Sequence, residues 1–430
     1  MRYRLLSIVA VLALAGCGGE SATGESGASV APADALGFIE IQADLESGQW
    51  EQVQELLDRF PDRPQLIERL NEELREHDFE YERDVEPALG DTVVLVWANG
   101  ADSDDVVLLT QPDDDDKFEA LVGKMREEFG DDFATGEVDG WRAASERAEN
   151  IDAIRDGGGS LADVDAFEAA RAQAPEERLA FAFMRAEFGE GLGSFGTAVK
   201  ADWASGSIEA RDDGAAVTIA LRGEDLPAGG AYDSARVDEA PGDALAFLSF
   251  DGASLRSQSS MLAPLAAMLG VRIDELLEGL DGEAALWVRP GVPIPEVTLV
   301  VETDDPDDAR AALETLLRGV PVEVKLGVVD GRLVVTTGPS PEAALEARDE
   351  TLGESEDFRE AVEAAGMPDE TSGFLYVNVA DALPLLGLAG LAGADVPEEL
   401  LANLRPIRSV VAWSETDDGT STQTVFVEIQ

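Results

Sequence analysis

Few residues in this chain are equipped for covalent chemistry. Cys17 is the only cysteine among 430 residues, and His77 is the only histidine. A Ser-His-Asp triad, a His-rich zinc site and a Cys-His pair all need companions that these two lack. There is no GxSxG motif, and none of Lys117, Lys124, Lys200 and Lys325 follows a serine by three. His77 sits in a polar stretch, Arg75-Glu76-His77-Asp78, which suits a solvated helix end. Gly191-Leu192-Gly193-Ser194-Phe195-Gly196 fits GxGxxG, but a dinucleotide site also needs a parallel βαβ unit and a later acidic residue. The run Asp113 to Asp116, with Asp102, Asp104 and Asp105 nearby, offers oxygen ligands for calcium. It lacks the alternating spacing and distal Glu of an EF-hand loop. Two carboxylates suffice for glycoside hydrolysis, yet 89 acidic residues leave no pair distinguished. Trp50, Trp97, Trp141, Trp203, Trp287 and Trp413 are expected in the core rather than on a carbohydrate-stacking platform.

Placement gives Cys17 a different meaning. Arg2 and Arg4 precede an apolar run from Leu5 to Leu14, and Leu14-Ala15-Gly16-Cys17 follows. Charged start, short apolar stretch and small-residue site form the order of an export signal. The run is too short to span a bilayer, which takes ~20 apolar residues. The segment resembles a bacterial lipoprotein signal peptide, with Leu14, Ala15, Gly16 and Cys17 matching the lipobox. The resemblance implies export, lipidation on the Cys17 thiol and cleavage before it. With no second cysteine an internal disulfide is impossible, so stability rests on core packing.

The composition, 45% hydrophobic, supports real cores, and the length predicts two or three domains. A net charge of -58 opposes nucleic acid, which is bound by basic surfaces, and opposes anionic headgroups too. Membrane attachment would then depend on the lipid. One acyl chain holds weakly and two hold stably, as a diacylglyceryl group would. Salt adaptation or a cationic partner would each account for the acidity.

Residues Gly18 to Ala31 are rich in Gly, Ser and Thr, and predict a flexible tether. Beyond it the chain repeats itself. Pro32-Ala33-Asp34-Ala35-Leu36-Gly37-Phe38-Ile39 returns as Pro241-Gly242-Asp243-Ala244-Leu245-Ala246-Phe247-Leu248. Val107 to Leu121 aligns without a gap on Leu299 to Leu313, and Val138-Asp139-Gly140 on Val329-Asp330-Gly331. Leu179 to Met184 matches Ser372 to Val377, and Asp212-Asp213-Gly214 matches Asp417-Asp418-Gly419. These repeats predict two tandem homologous domains, 32–235 and 236–430, after the signal at 1–17 and the tether at 18–31.

Each copy is expected to open on a strand (Leu36 to Ile41; Leu245 to Phe250) and a helical region (Trp50 to Arg75; Leu255 to Leu280). In the first copy, apolar runs predict strands at Thr92 to Trp97 and Val106 to Thr110. A helix follows from the acidic cluster. In the second copy Asp305 is its N-cap and Pro306 its first residue; Asp113 to Asp116 are the counterparts. Asp-Gly then predicts type I′ hairpins. A further helix, a strand, a small-residue helix (Gly191 to Gly196; Gly387 to Gly393) and a last hairpin complete the copy. The fold class is α+β, each domain a largely antiparallel sheet covered by helices.

Pro32 to Leu36 leading into a strand, with Gln49-Trp50 opening a helix that ends near Phe60-Pro61, resembles the bacterial domain-of-unknown-function family number 3352. That resemblance implies a predicted extracytoplasmic lipoprotein and transfers no catalytic residue. The expected function is a non-enzymatic binding or scaffold role in the cell envelope, with no cofactor or metal. The alternatives are a carrier of lipid or another hydrophobic ligand between two lobes, and a carboxylate-based hydrolase.

Overall fold

The computed structural model describes residues 26–76, 79–129, 133–186, 201–223, 226, 230–252, 282–291, 295–316, 323–346, 350–391 and 397–430. Cys17, Leu14, Ala15, Gly16, His77 and the Gly191 to Gly196 motif lie outside them, as does the helical region expected at Leu255 to Leu280. The fold mixes helices with antiparallel sheet, and the chain separates into two compact units, Met1–Glu224 and Asp225–Gln430.

The first unit has eight strands: β1 (Gly37–Gln42), β2 (Thr92–Trp97), β3 (Val106–Thr110), β4 (Ala134–Val138), β5 (Trp141–Ser145), β6 (Ala180–Arg185), β7 (Trp203–Arg211) and β8 (Gly214–Arg222). Their order is β8-β7-β6-β1-β2-β3-β5-β4, antiparallel throughout. Valine-rich β2 is buried on both faces. One face packs Val93, Leu95 and Trp97 against Trp50, Phe118 and Leu121 from the helices Gly48–Leu57 and Asp115–Phe129. The other packs Val94 and Val96 with Phe38, Phe181, Phe183 and Trp203 beneath the helices Ala148–Asp156 and Asp165–Arg171.

The second unit contains β9 (Ala246–Asp251), β10 (Glu283–Arg289), β11 (Glu296–Val301), β12 (Lys325–Val329), β13 (Arg332–Thr336), β14 (Gly373–Asn378), β15 (Ile407–Asp417) and β16 (Thr420–Ile429). Their order, β16-β15-β14-β9-β10-β11-β13-β12, is that of the first unit strand for strand. Packing repeats as well. Phe167 touches Phe38, Phe181 and Phe183 at ring-centroid distances of 5.3, 5.8 and 5.3 Å. At the same register, Phe358 meets Phe374 and Tyr376 at 6.1 and 5.1 Å, and Phe374 meets Phe247 at 5.3 Å.

Three sequence expectations need correction. First, Ser26 to Ala31 is folded. A 3-10 turn, Gly27–Ser29, is capped by Ser26, and Ala28, Val30 and Ala31 are buried in the second core. The amides of Val30 and Ala31 both donate to the Gly27 carbonyl. In the second unit the turn Ala235–Asp238 repeats this, with Glu239 and Ala240 donating to Arg236. Small residues here make a close fit, which local composition does not distinguish from flexibility.

Second, the match of Val107 to Leu121 with Leu299 to Leu313 is one residue out of register. β2 pairs Leu95 with Leu108, while β10 pairs Leu286 with Leu299, so Leu108 is equivalent to Leu299. Asp114 is then the counterpart of Asp305, and the helices Asp115–Phe129 and Pro306–Leu316 start together. A one-residue slip would have exchanged the two faces of each strand.

Third, the last hairpins are also offset. Arg211 pairs with Gly214 across Asp212-Asp213, whereas Asp417 pairs with Thr420 across Asp418-Gly419. Positive φ falls at Asp139-Gly140, Asp330-Gly331 and Asp418-Gly419, as type I′ turns require.

Candidate functional site

All six tryptophans are buried, between 0 and 7% exposed, so none forms a stacking platform. Asp114 is a helix cap: its carboxylate accepts from the amides of Asp116 (2.9 Å) and Lys117 (3.2 Å). Among the described residues no group of three or more His, Cys, Asp or Glu side chains is placed to hold a metal ion.

The remaining polar chemistry is concentrated in two places. In the second unit, Arg236 is almost wholly buried between Glu239 (2.5 Å), Glu283 (3.7 Å) and Glu302. Arg332 holds the far side of Glu239 at 2.5 Å. Tyr232 Oη and Ser249 Oγ are 2.8 Å apart, and Ser249 donates to Glu283 Oε1 at 3.0 Å. Ser234 donates to the same oxygen. Burial raises the Tyr232 phenol above its ordinary range. Ser249 is fully buried, and its neighbouring carboxylate is committed to a guanidinium. The cluster ties residues 230–241 to β9, β10 and β13, assisted by bridges from Tyr232 to Thr371 and Pro241 to Thr351.

In the first unit, Glu40 takes Arg171 at 2.9 Å and Arg178 at 3.8 Å, and both guanidiniums lie over the Phe181 ring. Asp105 similarly pairs with Arg147, and in the second unit Glu428 pairs with Arg408. Asp44 differs. It is 5% exposed, its Oδ1 accepts from the Glu46 amide at 2.9 Å, and its buried Oδ2 has no hydrogen-bond partner. Burial raises its pKa, and the Asp91 and Glu46 charges add to the shift.

One outward surface of the first unit gathers exposed aliphatic side chains, and Val425, the counterpart of Ile219, is exposed in the second unit as well. Ile208, Val217 and Ile219 on β7 and β8 are 44, 41 and 47% exposed, and Ile208 pairs directly with Val217. Alternation places Ala180, Ala182 and Met184 of β6, and Ala204 and Gly206 of β7, on the same face. A side chain at Gly206 would meet nothing nearer than the Thr218 carbonyl at 3.8 Å. Sequence reasoning missed this surface. The available signal was the Gly214–Arg222 run, GAAVTIALR, where Val217 and Ile219 alternate with Ala216 and Ala220. Both faces are therefore apolar, and on the outward one Met184 continues into the first core.

No protein-family model matches the chain, and no curated protein does. Among solved structures it is similar to TP0453 in two crystal forms. Form III is 10% identical, covering 45% of this chain and 78% of that one at a TM-score of 0.25. Form I is 7% identical, covering 74% and 94% at a TM-score of 0.19. Scores this low carry no argument about fold or function.

Proposed function

We propose that the chain is an exported bacterial lipoprotein, held outside the cytoplasmic membrane by lipid on Cys17, with a non-enzymatic binding role in the envelope. Its two units are tandem copies of one ancestral α+β domain. Matching strand order, aromatic contacts and opening 3-10 turns support the duplication. The observation that carries the binding reading is the outward aliphatic surface of β6, β7 and β8.

The first described residue is Ser26, and eight residues, Gly18 to Glu25, lie between it and Cys17 in the sequence. Fully extended they reach about 30 Å. The lipid would thus keep the first unit near the bilayer despite charge repulsion. Mass analysis of the membrane-extracted protein should find Cys17 as the first residue, bearing a diacylglyceryl group. Cys17→Ser should move the protein to the soluble fraction. An N-terminus elsewhere, or equal membrane recovery of both proteins, would end this reading.

A further inference from the structure

We propose that Asn99-Gly100, in the loop between β2 and β3, is a site of spontaneous covalent modification in the folded protein, converting through a succinimide to isoaspartate and aspartate. The reaction needs a following residue without a side chain, an amide nitrogen free to lose its proton, and contact with water. Asn99 is exposed, and among the described residues no hydrogen bond holds its side chain or the Gly100 amide. The glycine is fixed by the fold. A Cβ at residue 100 would stand 2.8 Å from Asp105 Cγ and closer still to Oδ2. Asp105 has no room to yield: it is buried, its Oδ2 accepts from the Asp102 amide at 3.0 Å, and its carboxylate pairs with Arg147. Close approach therefore demands glycine, and that same glycine leaves its nitrogen open to the side chain before it.

The chemistry balances with water alone. The Gly100 nitrogen, having given its proton to solvent, attacks Asn99 Cγ. The N–Cγ bond forms, the Cγ–Nδ2 bond breaks, and Nδ2 takes a proton back from solvent and leaves as ammonia. Water then opens the ring. Opening at the main-chain carbonyl gives isoaspartate, with the side-chain methylene now in the main chain; opening at Cγ gives aspartate. Either product adds a carboxylate to a loop that already carries Asp102, Asp104 and Asp105. The other four asparagines lack this setting. Asn150 is fully buried and precedes Ile151, and Asn378 is bonded to Asp381 through both side-chain polar atoms and precedes Val379. Asn71 and Asn403 lie inside the helices Arg63–Glu76 and Glu398–Leu404, where the following amide donates one turn back.

The test holds the full folded chain, and the same chain in guanidinium chloride, in alkaline buffer and follows their peptides by mass. Residue 99 should show the shift of amide-to-acid conversion at comparable rates in both, with isoaspartate among the products. Asn71, Asn150, Asn378 and Asn403 should remain amides in the folded chain. Asn99→Gln, whose longer side chain must close a larger ring, should show no conversion while unfolding at the parent's temperature. Conversion of residue 99 in denaturant alone, or in neither state, would overturn the inference. Aspartate without isoaspartate would mean direct hydrolysis and would do the same, as would another asparagine converting first in the folded chain.

Discussion

Replacing Gly27 with valine tests whether Ser26 to Ala31 belongs to the core of the first unit. A Cβ at Gly27 would stand 2.4 Å from Val94 Cγ2 and 3.2 Å from both Cβ and Cγ1. Val94 has nowhere to go. It is fully buried in β2, paired with Glu40 on one side and Leu109 on the other. Its β-branched side chain is restricted at χ1. Overpacking of this kind costs ~1–3 kcal/mol. For a unit of this size a loss of ~2 kcal/mol lowers Tm by about 4–8 °C. Hydrogen exchange, followed peptide by peptide, assigns the loss to the first unit. The amides of Val30 and Ala31, bonded to the Gly27 carbonyl at 3.2 and 3.1 Å, should exchange faster. Gly48→Ala is the control, since nothing lies within 4 Å of a Cβ there. If Gly27→Val leaves both Tm and exchange unchanged, Ser26 to Ala31 is not core.

Three further outcomes follow from the charges. Asp44 has a raised native pKa, so its contribution to stability is fully present below the unfolded carboxylate range and is lost as pH rises through the native value. Asp44→Asn should gain on the parent between about pH 4 and pH 7 in urea midpoints; a constant gap would refute this. Arg236→Met should cost ~3–5 kcal/mol by leaving the largely buried Glu283 without its cation, and Glu283→Gln in the same chain should recover part of it. A calorimetric change below ~1 kcal/mol would show the cluster to be solvated. With a net charge of -58, raising NaCl from about 0.05 to 0.5 M should raise Tm, because self-repulsion is screened; a flat response would mean that counter-charges already neutralise it.

Much of the framework was legible because local rules and tertiary structure agree. Thr92–Trp97 and Val106–Thr110 are strands to the residue, since continuous valine and leucine runs suit strands buried on both faces. Asp139-Gly140 and Asp330-Gly331 turn as their chemistry demands. What escaped was anything dependent on pairing. Register within a strand is invisible when both faces are apolar, as in Val107 to Thr110, so the alignment there slipped by one residue. The buried turn at Gly27 was hidden because Gly and Ser serve equally in linkers and in close contacts. The exposed aliphatic face of β7 and β8 was hidden because the exposure of Ile208 and Val217 depends on tertiary packing and not on the strands' own sequence.

The two units show how one position was filled in two compatible ways. Register makes Gly27 equivalent to Arg236, Val94 to Ala285 and Thr92 to Glu283. Valine in β2 demands glycine above it; alanine in β10 leaves room for arginine, and the glutamate beside it supplies the counter-charge. Neither pair tolerates the other's partner. Arginine at position 27 would meet the Val94 methyls, and glycine at position 236 would leave Glu283 and Glu302 without a cation. A single exchange between units should therefore destabilise, while exchanging all three positions together should be tolerated. That coupling follows from contact: before Pro32 and Pro241 both units have the same turn, with different residues packed beneath it.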